Sequence, residues 1–504
     1  MINDYFNTFV RIGLPGKVES FGSKNKPELM KTKYLALIAA LGIPASVLPQ
    51  QYNILFIAVD DLRPELGCYG NKVVLSPNID RLAATGITFN HAYCQQAISM
   101  ASRASLLTGM FPESYGIYKC GPVAEAIPDA VTLNGFFEKA GYNVRGMGKI
   151  YHHPVDHRRQ FPGWTDQRSQ PGRKWDGRGY LTLESKALMD STGQGPAFEW
   201  PVAEDGDYYD GYTADQACKE LTELSKKDKP FFLAVGFHKP HLPFNAPLKY
   251  WDMYDRDRLK LPDNQFLPEN FVTHTKYNFG ELRNYNGIPK GNESFSEDLK
   301  KTLIHGYYAC VSYTDSQIGK VLNQLKALDL EKNTIIVLFG DHGWKLGEHG
   351  MWCKHTNFEL DTRATLIMRV PGVTPAETDN FVEFLDIYPT LVDLCGFTVP
   401  ENLDGTSLMP VINKPQKIVR TAAFSIYPHN QNNDDRLVMG YSVGTPDYRY
   451  IEWVHVKSGR IEGVELYDHR TDPGENINVA GVAGNETVCK ELSQLLREKC
   501  RFKI

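Results

Sequence analysis

The sequence predicts an α/β fold built on a large, mostly parallel sheet flanked by helices. The first observation is a set of continuous apolar runs that each end in polar residues, as strands buried on both faces do. These runs are 53–59, 231–236 and 334–339, with a weaker one at 142–147. The second observation is that helical patterns lie between them, for example at 76–84 and 303–328. Such alternation is typical of a parallel sheet, in which ligands bind beyond the carboxyl ends of the strands.

The composition excludes several classes of protein before any motif is considered. The chain has 504 residues, of which 42% are hydrophobic and 23% charged, with a net charge of −5. This excludes a disordered chain, a collagen-like chain and a small disulfide scaffold. No global basic field exists to hold nucleic acid, so an anionic ligand needs a local cationic pocket. The length predicts two or three domains, or one large α/β domain with an appendage.

The N-terminal region resembles an export signal. Lysines precede a short apolar stretch and small residues within 30–47, which predicts a secretory signal peptide. Residues 1–29 are then an upstream extension of doubtful relevance, and a short buried helix is the alternative interpretation of 30–47. Since no other apolar run is long enough to span a bilayer, we expect an exported protein without membrane insertion. Its compartment would be periplasmic, extracellular or lysosome-like.

The nine cysteines are widely spread and form no CxxC pair, which argues against a zinc knuckle. In an exported protein, an odd count leaves at least one free thiol. Cys489 and Cys500 are spaced so that they could pair, and the sequence leaves this open.

Acidic residues follow two of the predicted strands. Asp60 and Asp61 come directly after 53–59, and Asp341 and His342 follow the run at 334–339. A single such aspartate is usually a turn residue or a helix cap. Three carboxylates at one sheet edge repel one another, and a divalent cation removes that repulsion. Oxygen ligands favour Ca²⁺ or Mg²⁺, for which a histidine ligand is less typical.

A serine and an arginine precede the next helical pattern. Ser99 and Arg103 lead into a helix predicted at 104–110, where the serine would by default be an N-cap. A helix N-terminus also binds anions, and an arginine four residues on returns to the same face.

Further basic residues follow the strands or lie in the glycine-rich loop after Asp341. They are Lys149, His152, His238 and Lys354, and each alone has an ordinary structural interpretation. A metal, several cations and two proton-transfer groups together favour the hydrolysis of an anionic ester.

The segment SMASRASLLTG at 99–109 resembles the signature of the type I sulfatases. The partner motifs occur in the same order, among them VDDLRPELGCYG (59–70), MGKIYH (147–152), FLAVGFHKPHLPF (232–244) and GDHGWKLGEHGMWCKHTNF (340–358). The likeness covers about residues 50–400, and ELYDHRTDPGEN at 465–476 is similar to a sulfatase ending. Within the family, the stretches most resemble the iduronate-2-sulfatase group.

The resemblance implies an alkaline-phosphatase-like fold with two parts. Residues 48–400 would form the sulfatase catalytic domain around a mixed sheet. Residues 401–504 would form a smaller C-terminal subdomain with antiparallel strands between 424 and 469. The segment YRYIEWVHV at 448–456 is the clearest of these strands.

The resemblance also implies a nucleophile and a metal site. Ser99 matches the residue that is converted to formylglycine (3-oxoalanine), whose hydrated form is the nucleophile. Asp60, Asp61, Asp341 and His342 match the ligands of one Ca²⁺ ion, with the modified residue 99 completing the shell. An unmodified serine would form a stable sulfated enzyme, whereas a geminal hydroxyl lets sulfate leave.

The basic residues match the rest of the sulfatase site. Arg103 and Lys149 match groups that hold the formylglycine, and His152 matches the base that helps to release sulfate. His238 and Lys354 match sulfate-binding groups, with His238 as the acid for the leaving alcohol.

Position 99 departs from the pattern of the nearest members, which carry cysteine. Serine-type sulfatases exist, and a different, radical enzyme matures them, so a formylglycine-generating enzyme is an expected partner. A cysteine-to-serine replacement would give the same residue, and the sequence leaves this alternative open.

The sugar specificity would depend on two inserts at 163–180 and 249–292, the first rich in tryptophan and arginine. The resemblance implies a sulfated oligosaccharide substrate, namely a 2-O-sulfated uronic acid of heparan/heparin or dermatan/chondroitin type. One alternative is a phosphate or phosphonate ester hydrolase of the same superfamily. The other is a catalytically silent glycan-binding protein, if Ser99 is not modified.

Overall fold

The computed structural model describes residues 51–116, 118, 121–160, 179–430 and 433–500. The predicted strands are present to within one or two residues. The strands up to residue 400 are β1 (Asn53–Val59), β2 (Ile87–Tyr93), β3 (Asn143–Gly148), β4 (Phe198–Glu199), β5 (Phe231–Phe237), β6 (Phe244–Asn245), β7 (Thr334–Gly340), β8 (Lys345–Leu346), β9 (Trp352–Cys353), β10 (Leu366–Arg369) and β11 (Ala376–Glu383).

Seven of these strands form the central sheet, in the order β11-β2-β10-β7-β1-β5-β3. All neighbours pair in parallel except β10, which is antiparallel to both β2 and β7. The register places Val59 beside Phe237 on one side and Gly340 on the other. The carboxyl ends of β1, β5 and β7 are therefore level, and the residues that follow them meet at one edge.

Helices cover both faces of this sheet, and the described residues contain fourteen α-helices in all. They are α1 (Pro77–Ala83), α2 (Ser99–Thr108), α3 (Val123–Ala126), α4 (Leu133–Lys139), α5 (Pro154–Gln160), α6 (Leu183–Thr192), α7 (Tyr209–Leu224), α8 (Leu248–Trp251), α9 (Gly280–Arg283), α10 (Glu297–Ala327), α11 (Glu359–Thr362), α12 (Ile387–Leu394), α13 (Met409–Asn413) and α14 (Glu486–Lys499). Alternate residues of β1 point to opposite faces. Leu55, Ile57 and Val59 pack with α1, α7 and α10, whereas Ile54, Phe56 and Ala58 pack with α2, α4 and α12.

A second sheet follows toward the C-terminus. Its strands β12 (Ala423–His429), β13 (Val438–Gly444), β14 (Tyr448–His455) and β15 (Ile461–Asp468) pair in order and are all antiparallel. Helix α14 packs on it through Leu492 and Leu496. The Ser425 hydroxyl donates to the Cys94 carbonyl at 2.6 Å, which ties this sheet to the segment before α2. The predicted α/β fold and the antiparallel C-terminal sheet are confirmed, whereas the boundary at residues 400 and 401 stays a prediction.

Several sequence expectations need correction or fall outside the described residues. Helix α2 begins at Ser99 and not at 104, and its N-cap is Ile98, so the serine does not cap the helix. Cys489 and Cys500 are free thiols and do not pair. The segments 1–29, 30–47 and most of the insert at 163–180 lie outside the described residues. In the described part of the chain, no helix combines the length and apolarity needed to cross a bilayer.

Candidate active site

The carboxylates predicted to converge lie together at the carboxyl ends of β1 and β7. The Asp61 amide donates to Asp341 Oδ1 at 3.0 Å, so the two strand ends are bonded to each other. His342 Nε2 lies 3.4 Å from Asp61 Oδ1 and 3.7 Å from Asp341 Oδ1. Asp60, Asp61, Asp341 and His342 are all fully buried. The four residues therefore form one compact polar centre beneath the surface.

The turn after β1 is held in an unusual backbone conformation. Asp61 has a φ of 61°, in the left-handed region that non-glycine residues rarely adopt. The Tyr307 hydroxyl, from α10, donates to the Asp61 carbonyl at 2.8 Å and accepts from the Arg63 amide at 3.1 Å. Since such strain persists only where neighbours enforce it, the two hydrogen bonds of Tyr307 contribute to holding the turn at Asp61.

The hydrogen bonds of His342 show how the centre would receive a metal. Its Nδ1 lies 2.9 Å from the Gly343 carbonyl, which can only accept, so Nδ1 carries the proton. The lone pair of Nε2 then points at Asp61 and Asp341. Ligand atoms of Asp61, Asp341 and His342 all lie within 4.8 Å of one another. A histidine fixed in this tautomer beside two carboxylates suits a divalent cation, so these residues could hold one.

Ser99 faces the same centre from the first turn of α2. Its hydroxyl donates to Asp60 Oδ1 at 3.1 Å and lies 3.0 Å from His342 Nε2. The helix ends at Gly109, whose φ of 68° suits a left-handed cap. The signature SMASRASLLTG thus spans one whole helix and its terminating glycine, with the serine at its inner end.

Two cationic side chains enclose Asp60. Arg103, one turn after Ser99, donates from Nη2 to Asp60 Oδ1 at 3.1 Å and from Nε to Asp341 Oδ2 at 2.9 Å. Lys149 Nζ donates to the other oxygen of Asp60. Gly148 makes this possible, because its φ is 68° and a Cβ there would lie 1.9 Å from the Gly236 carbonyl oxygen. The chain can therefore turn sharply after β3 and direct Lys149 at the centre.

Lys354 reaches the centre from the loop after β9. Its Nζ donates to Asp61 at 3.1 and 3.3 Å and lies 4.8 Å from the centroid of the Trp344 ring. Its side chain is only 4% exposed, so this cation is directed inward. Its neighbours Asp61 and Glu281 outweigh the cost of burial and raise its pKa well above the ordinary value.

The histidine that contacts the centre after β5 is His241, whereas His238 contacts other groups. His238 Nδ1 lies 3.5 Å from Asp210 Oδ1, and its ring packs edge-on against Tyr209. His241 Nε2 lies 4.0 Å from one carboxylate oxygen each of Asp60 and Asp61. Both histidines lie in the segment FHKPHLPF, and the sequence predicted the one nearer to the strand as the sulfate-binding group. The turn between them decides which ring returns to the sheet edge.

The insert at 249–292 also contributes a residue that the sequence analysis did not name. Glu281, in α9, accepts hydrogen bonds from His241 and Lys354. No motif marked this residue, because it lies in a polar and aromatic stretch with no recognisable pattern. The available signal was its position in a polar insert, which comes soon after the two histidines that follow β5.

The charges shift the pKa values in the centre in opposite directions. Burial alone would raise the pKa of Asp60, but Lys149, His241 and Arg103 together lower it well below its usual range. Burial raises the pKa of Asp61 despite Lys354. At the rim, loss of solvation and the charge of Lys149 lower the pKa of His152 to about 3, which keeps its ring neutral. The centre thus combines one acid whose pKa is lowered, one whose pKa is raised and fixed cations, with the neutral His152 ring at its rim.

The sheet and this edge define a hydrolase of the alkaline-phosphatase-like class. The Sulfatase family model matches residues 52–397, and the model of the N-sulphoglucosamine sulphohydrolase C-terminal region matches residues 347–501. Iduronate 2-sulfatase of Mus musculus is 31% identical over 502 residues, which cover 85% of this chain and 90% of that protein. The chain therefore belongs to the sulfatase family, and it is a sulfuric ester hydrolase.

Solved structures confirm the fold. One described as a 2-O GAG sulfatase superposes with a TM-score of 0.69 at 24% identity, covering 89% of this chain and 91% of that one. A phosphonate monoester hydrolase from Silicibacter pomeroyi gives a TM-score of 0.70 at 22% identity, covering 90% and 96%. The same fold therefore carries both sulfate and phosphonate ester hydrolases, and the side chains of the site must account for the chemistry.

Proposed function

We propose that this protein removes the 2-O-sulfate of a uronic acid residue in glycosaminoglycan oligosaccharides of heparan or dermatan type. The observation that carries the proposal is a cavity of about 640 Å³ with a mixed polar and aromatic lining, which includes the residue next to Lys354. The similarity to iduronate 2-sulfatase supports the same substrate.

Two residues that line the cavity lie close in sequence to residues of the centre. His355 lines it and directly follows Lys354, while Tyr277 lines it four residues before Glu281. The two rings pack with their centroids 4.5 Å apart. Tyr427, from β12, lines the side formed by the C-terminal sheet. Aromatic faces suit a sugar ring, and the exposed Lys276 of the same wall supplies a cation for a carboxylate.

We propose that Asp60, Asp61, Asp341 and His342 would hold one Ca²⁺ ion, with residue 99 as a further ligand. The compact set of buried oxygen atoms supports this choice. When bound, the ion supplies positive charge that stabilises an oxyanion and offsets the repulsion among the carboxylates.

We propose that Ser99 is converted to formylglycine by a maturation enzyme. The modified side chain supplies a hydrated aldehyde as the nucleophile, which can be regenerated after each turnover. Arg103 and Lys149 would hold and orient residue 99, since both already enclose Asp60, which accepts the Ser99 hydrogen bond.

Lys354 and His241 would bind the sulfate group, whereas Arg103 and Lys149 would hold residue 99. His241 would donate a proton to the leaving sugar oxygen, because its Nε2 faces the centre while the ring of His238 contacts Asp210. His152, neutral at physiological pH, would accept a proton when sulfate is released. The segment 30–47 supports export to a periplasmic, extracellular or lysosome-like compartment.

The decisive experiment compares defined disaccharides. Matured protein should release sulfate from a 2-O-sulfated uronic acid disaccharide and not from one that is sulfated only at O6 of glucosamine. The peptide containing residue 99 should be about 2 Da lighter than the unmodified one, because the oxidation removes two hydrogens.

Ser99→Ala is the matched control. Because Ser99 does not cap α2, the variant should fold, at a cost of about 1 kcal/mol for the lost hydrogen bond to Asp60, yet release no sulfate. Turnover of the 2-O-sulfated disaccharide by Ser99→Ala would contradict the mechanism, and preference for the 6-O-sulfated one would contradict the substrate.

A further inference from the structure

A carboxylate of this chain lies between His241 and Lys354, the two groups proposed above to bind the sulfate group. Glu281 Oε1 accepts from His241 Nε2 at 2.9 Å and from Lys354 Nζ at 3.1 Å, and Glu281 Oε2 lies 3.0 Å from the same Nζ. One oxygen atom of Glu281 therefore bridges both donors. Its side chain is 22% exposed, so it reaches the centre from the solvent side.

The loop that carries Glu281 is fixed in place. Phe279, which precedes α9, has a φ of 46°, in the left-handed region. The Arg283 guanidinium packs 4.3 Å from the centroid of the Phe279 ring and donates to the carbonyls of Asn278, Pro289 and Glu293. Lys290 Nζ donates to the Arg283 and Tyr285 carbonyls. Because its backbone is held at both ends, the position of Glu281 is a feature of the fold.

The hydrogen bonds of His241 show what this carboxylate replaces. His241 Nδ1 lies 2.6 Å from the Leu242 carbonyl, and Nε2 lies 2.9 Å from Glu281. Both partners accept hydrogen bonds, and the Nε2 side of the ring is directed at Glu281. The bridging oxygen of Glu281 thus occupies a point within hydrogen-bond distance of one imidazole nitrogen and one ammonium group. An oxygen of a bound sulfate ester would need the same two donors.

We propose that Glu281 is a resident anion, which occupies the position of a sulfate oxygen between His241 and Lys354 until an anionic substrate displaces it. This inference rests on the proposed function, since it takes His241 and Lys354 as the sulfate-binding groups. In the substrate-free protein, Glu281 keeps the two cations paired and correctly oriented. Entry of the substrate replaces its hydrogen bonds with those of the ester, and the carboxylate turns toward solvent.

The test measures binding of inorganic sulfate, which needs neither formylglycine nor a sugar. Isothermal titration calorimetry would use the calcium-loaded protein with Ser99 unmodified, together with Glu281→Ala and Glu281→Gln. Removing a competing negative charge a few ångströms from the anion should tighten sulfate binding on the order of tenfold. A residue that is only structural would leave the affinity unchanged or weaken it. Inorganic phosphate, titrated in parallel, measures the preference of the site between the two anions.

Glu293→Ala is the matched control, because Glu293 is an exposed acid of the same loop that the structure places outside the His241–Lys354 pair. Tighter binding in Glu281→Ala with unchanged binding in Glu293→Ala supports the inference. Glu281→Gln keeps the size of the side chain but removes its charge. If the alanine variant does not fold, the sulfate affinity of Glu281→Gln is the test, with the same expected tightening. Unchanged or weaker binding in the Glu281 variants overturns the inference, and so does equal tightening in Glu293→Ala. The disaccharide assay on matured protein decides the proposed function separately.

Discussion

Two fully buried arginines, Arg103 and Arg449, each join two carboxylates, yet only one of them lies at the proposed catalytic centre. Arg103 joins Asp60 and Asp341 at the sheet edge. Arg449, on β14, donates from Nε to Glu475 at 2.7 Å and from Nη2 to Glu359. Both side chains are 1% exposed, so burial of a charged group does not by itself distinguish function from structure.

The two clusters differ in what their acidic atoms face. Around Arg449, Glu475 also accepts from His469 and from the Glu359 amide, so its oxygens are engaged by donors. Around Arg103, atoms of Asp61, Asp341 and His342 face one another within 4.8 Å. In the centre, ligand atoms of two acids and a histidine lie close enough together for one cation to contact all three, whereas Glu475 is paired with an arginine and a histidine. The close spacing of three ligand atoms therefore distinguishes the proposed metal site from the Arg449 cluster.

The largest expected effect comes from removing the charge of one carboxylate in the centre around Arg103, with the same change in the Arg449 cluster as its control. Asp341→Asn keeps the shape of the side chain but removes a metal-ligating charge. Sulfate release should fall on the order of 10,000-fold, because a bound metal contributes several kcal/mol of charge stabilisation. Calcium should no longer raise the melting temperature of protein that was first treated with a chelator, since stabilisation by a ligand requires binding to the folded state.

Glu475→Gln supplies the matched control in the Arg449 cluster. It should lower the free energy of unfolding by about 1 to 3 kcal/mol, because the buried Arg449 loses one of its two carboxylate partners and keeps only Glu359. The rise in melting temperature on adding calcium should stay as in the unaltered protein. A full calcium effect in Asp341→Asn, or its loss in Glu475→Gln, would show that the two clusters do not differ in this way.

The next effect separates the two histidines after β5. If His241 is the acid, His241→Ala should slow hydrolysis of a sugar sulfate by about 100- to 1,000-fold. It should slow hydrolysis of an activated aryl sulfate much less, since that leaving group needs little protonation. His238→Ala should affect both substrates alike, through its contact with Asp210. A selective loss in His238→Ala would restore the assignment made from the sequence.

Much of the fold was predictable because each buried strand has a simple signature. The run NILFIAV coincides with β1, and the helices on both faces follow from their periodicity. The predicted helix after Ser99 was five residues too short at its start, because Ser99 resembles a capping residue. In the structure, Ile98 takes the cap position and the serine hydroxyl points inward. Local propensity could not show this, since the deciding contact is with Asp60, 39 residues away.

The candidate site was predictable where residues directly follow strands, and not where loops return to the edge. Asp60, Asp61, Asp341 and His342 lie where parallel strands end, so the sheet alone brings them together. His241 and Glu281 depend on the paths of two loops. The turn after β5 is fixed by Lys239, whose Nζ donates to the carbonyls of His241 and Pro243. Such contacts are tertiary, and no periodicity in the sequence encodes them.

The smallest expected effect is a pH dependence confined to the Arg449 cluster. Burial alone would raise the pKa of Glu475, but Arg449 and His469 lower it to about 2. An acid whose pKa is lower in the folded state stabilises that state above the unfolded pKa of about 4.5, and this contribution is lost as the pH falls toward 2. The pKa of His469 is raised, so its contribution is instead lost at higher pH, and the ring stays protonated throughout acidic titration.

Comparing the protein with its Glu475→Gln variant isolates Glu475 together with the His469 ring that it pairs with, because the remaining acids titrate in both. The difference in the free energy of unfolding, from urea titrations, should shrink by about 1 kcal/mol between pH 6 and pH 3.5, since part of the proton uptake by the unfolded state is already complete there. A difference that stays constant over this range would mean that Glu475 is not held ionised by Arg449. The Arg449 cluster would then not be a set of fully paired charges, and its contrast with the centre around Arg103 would fail.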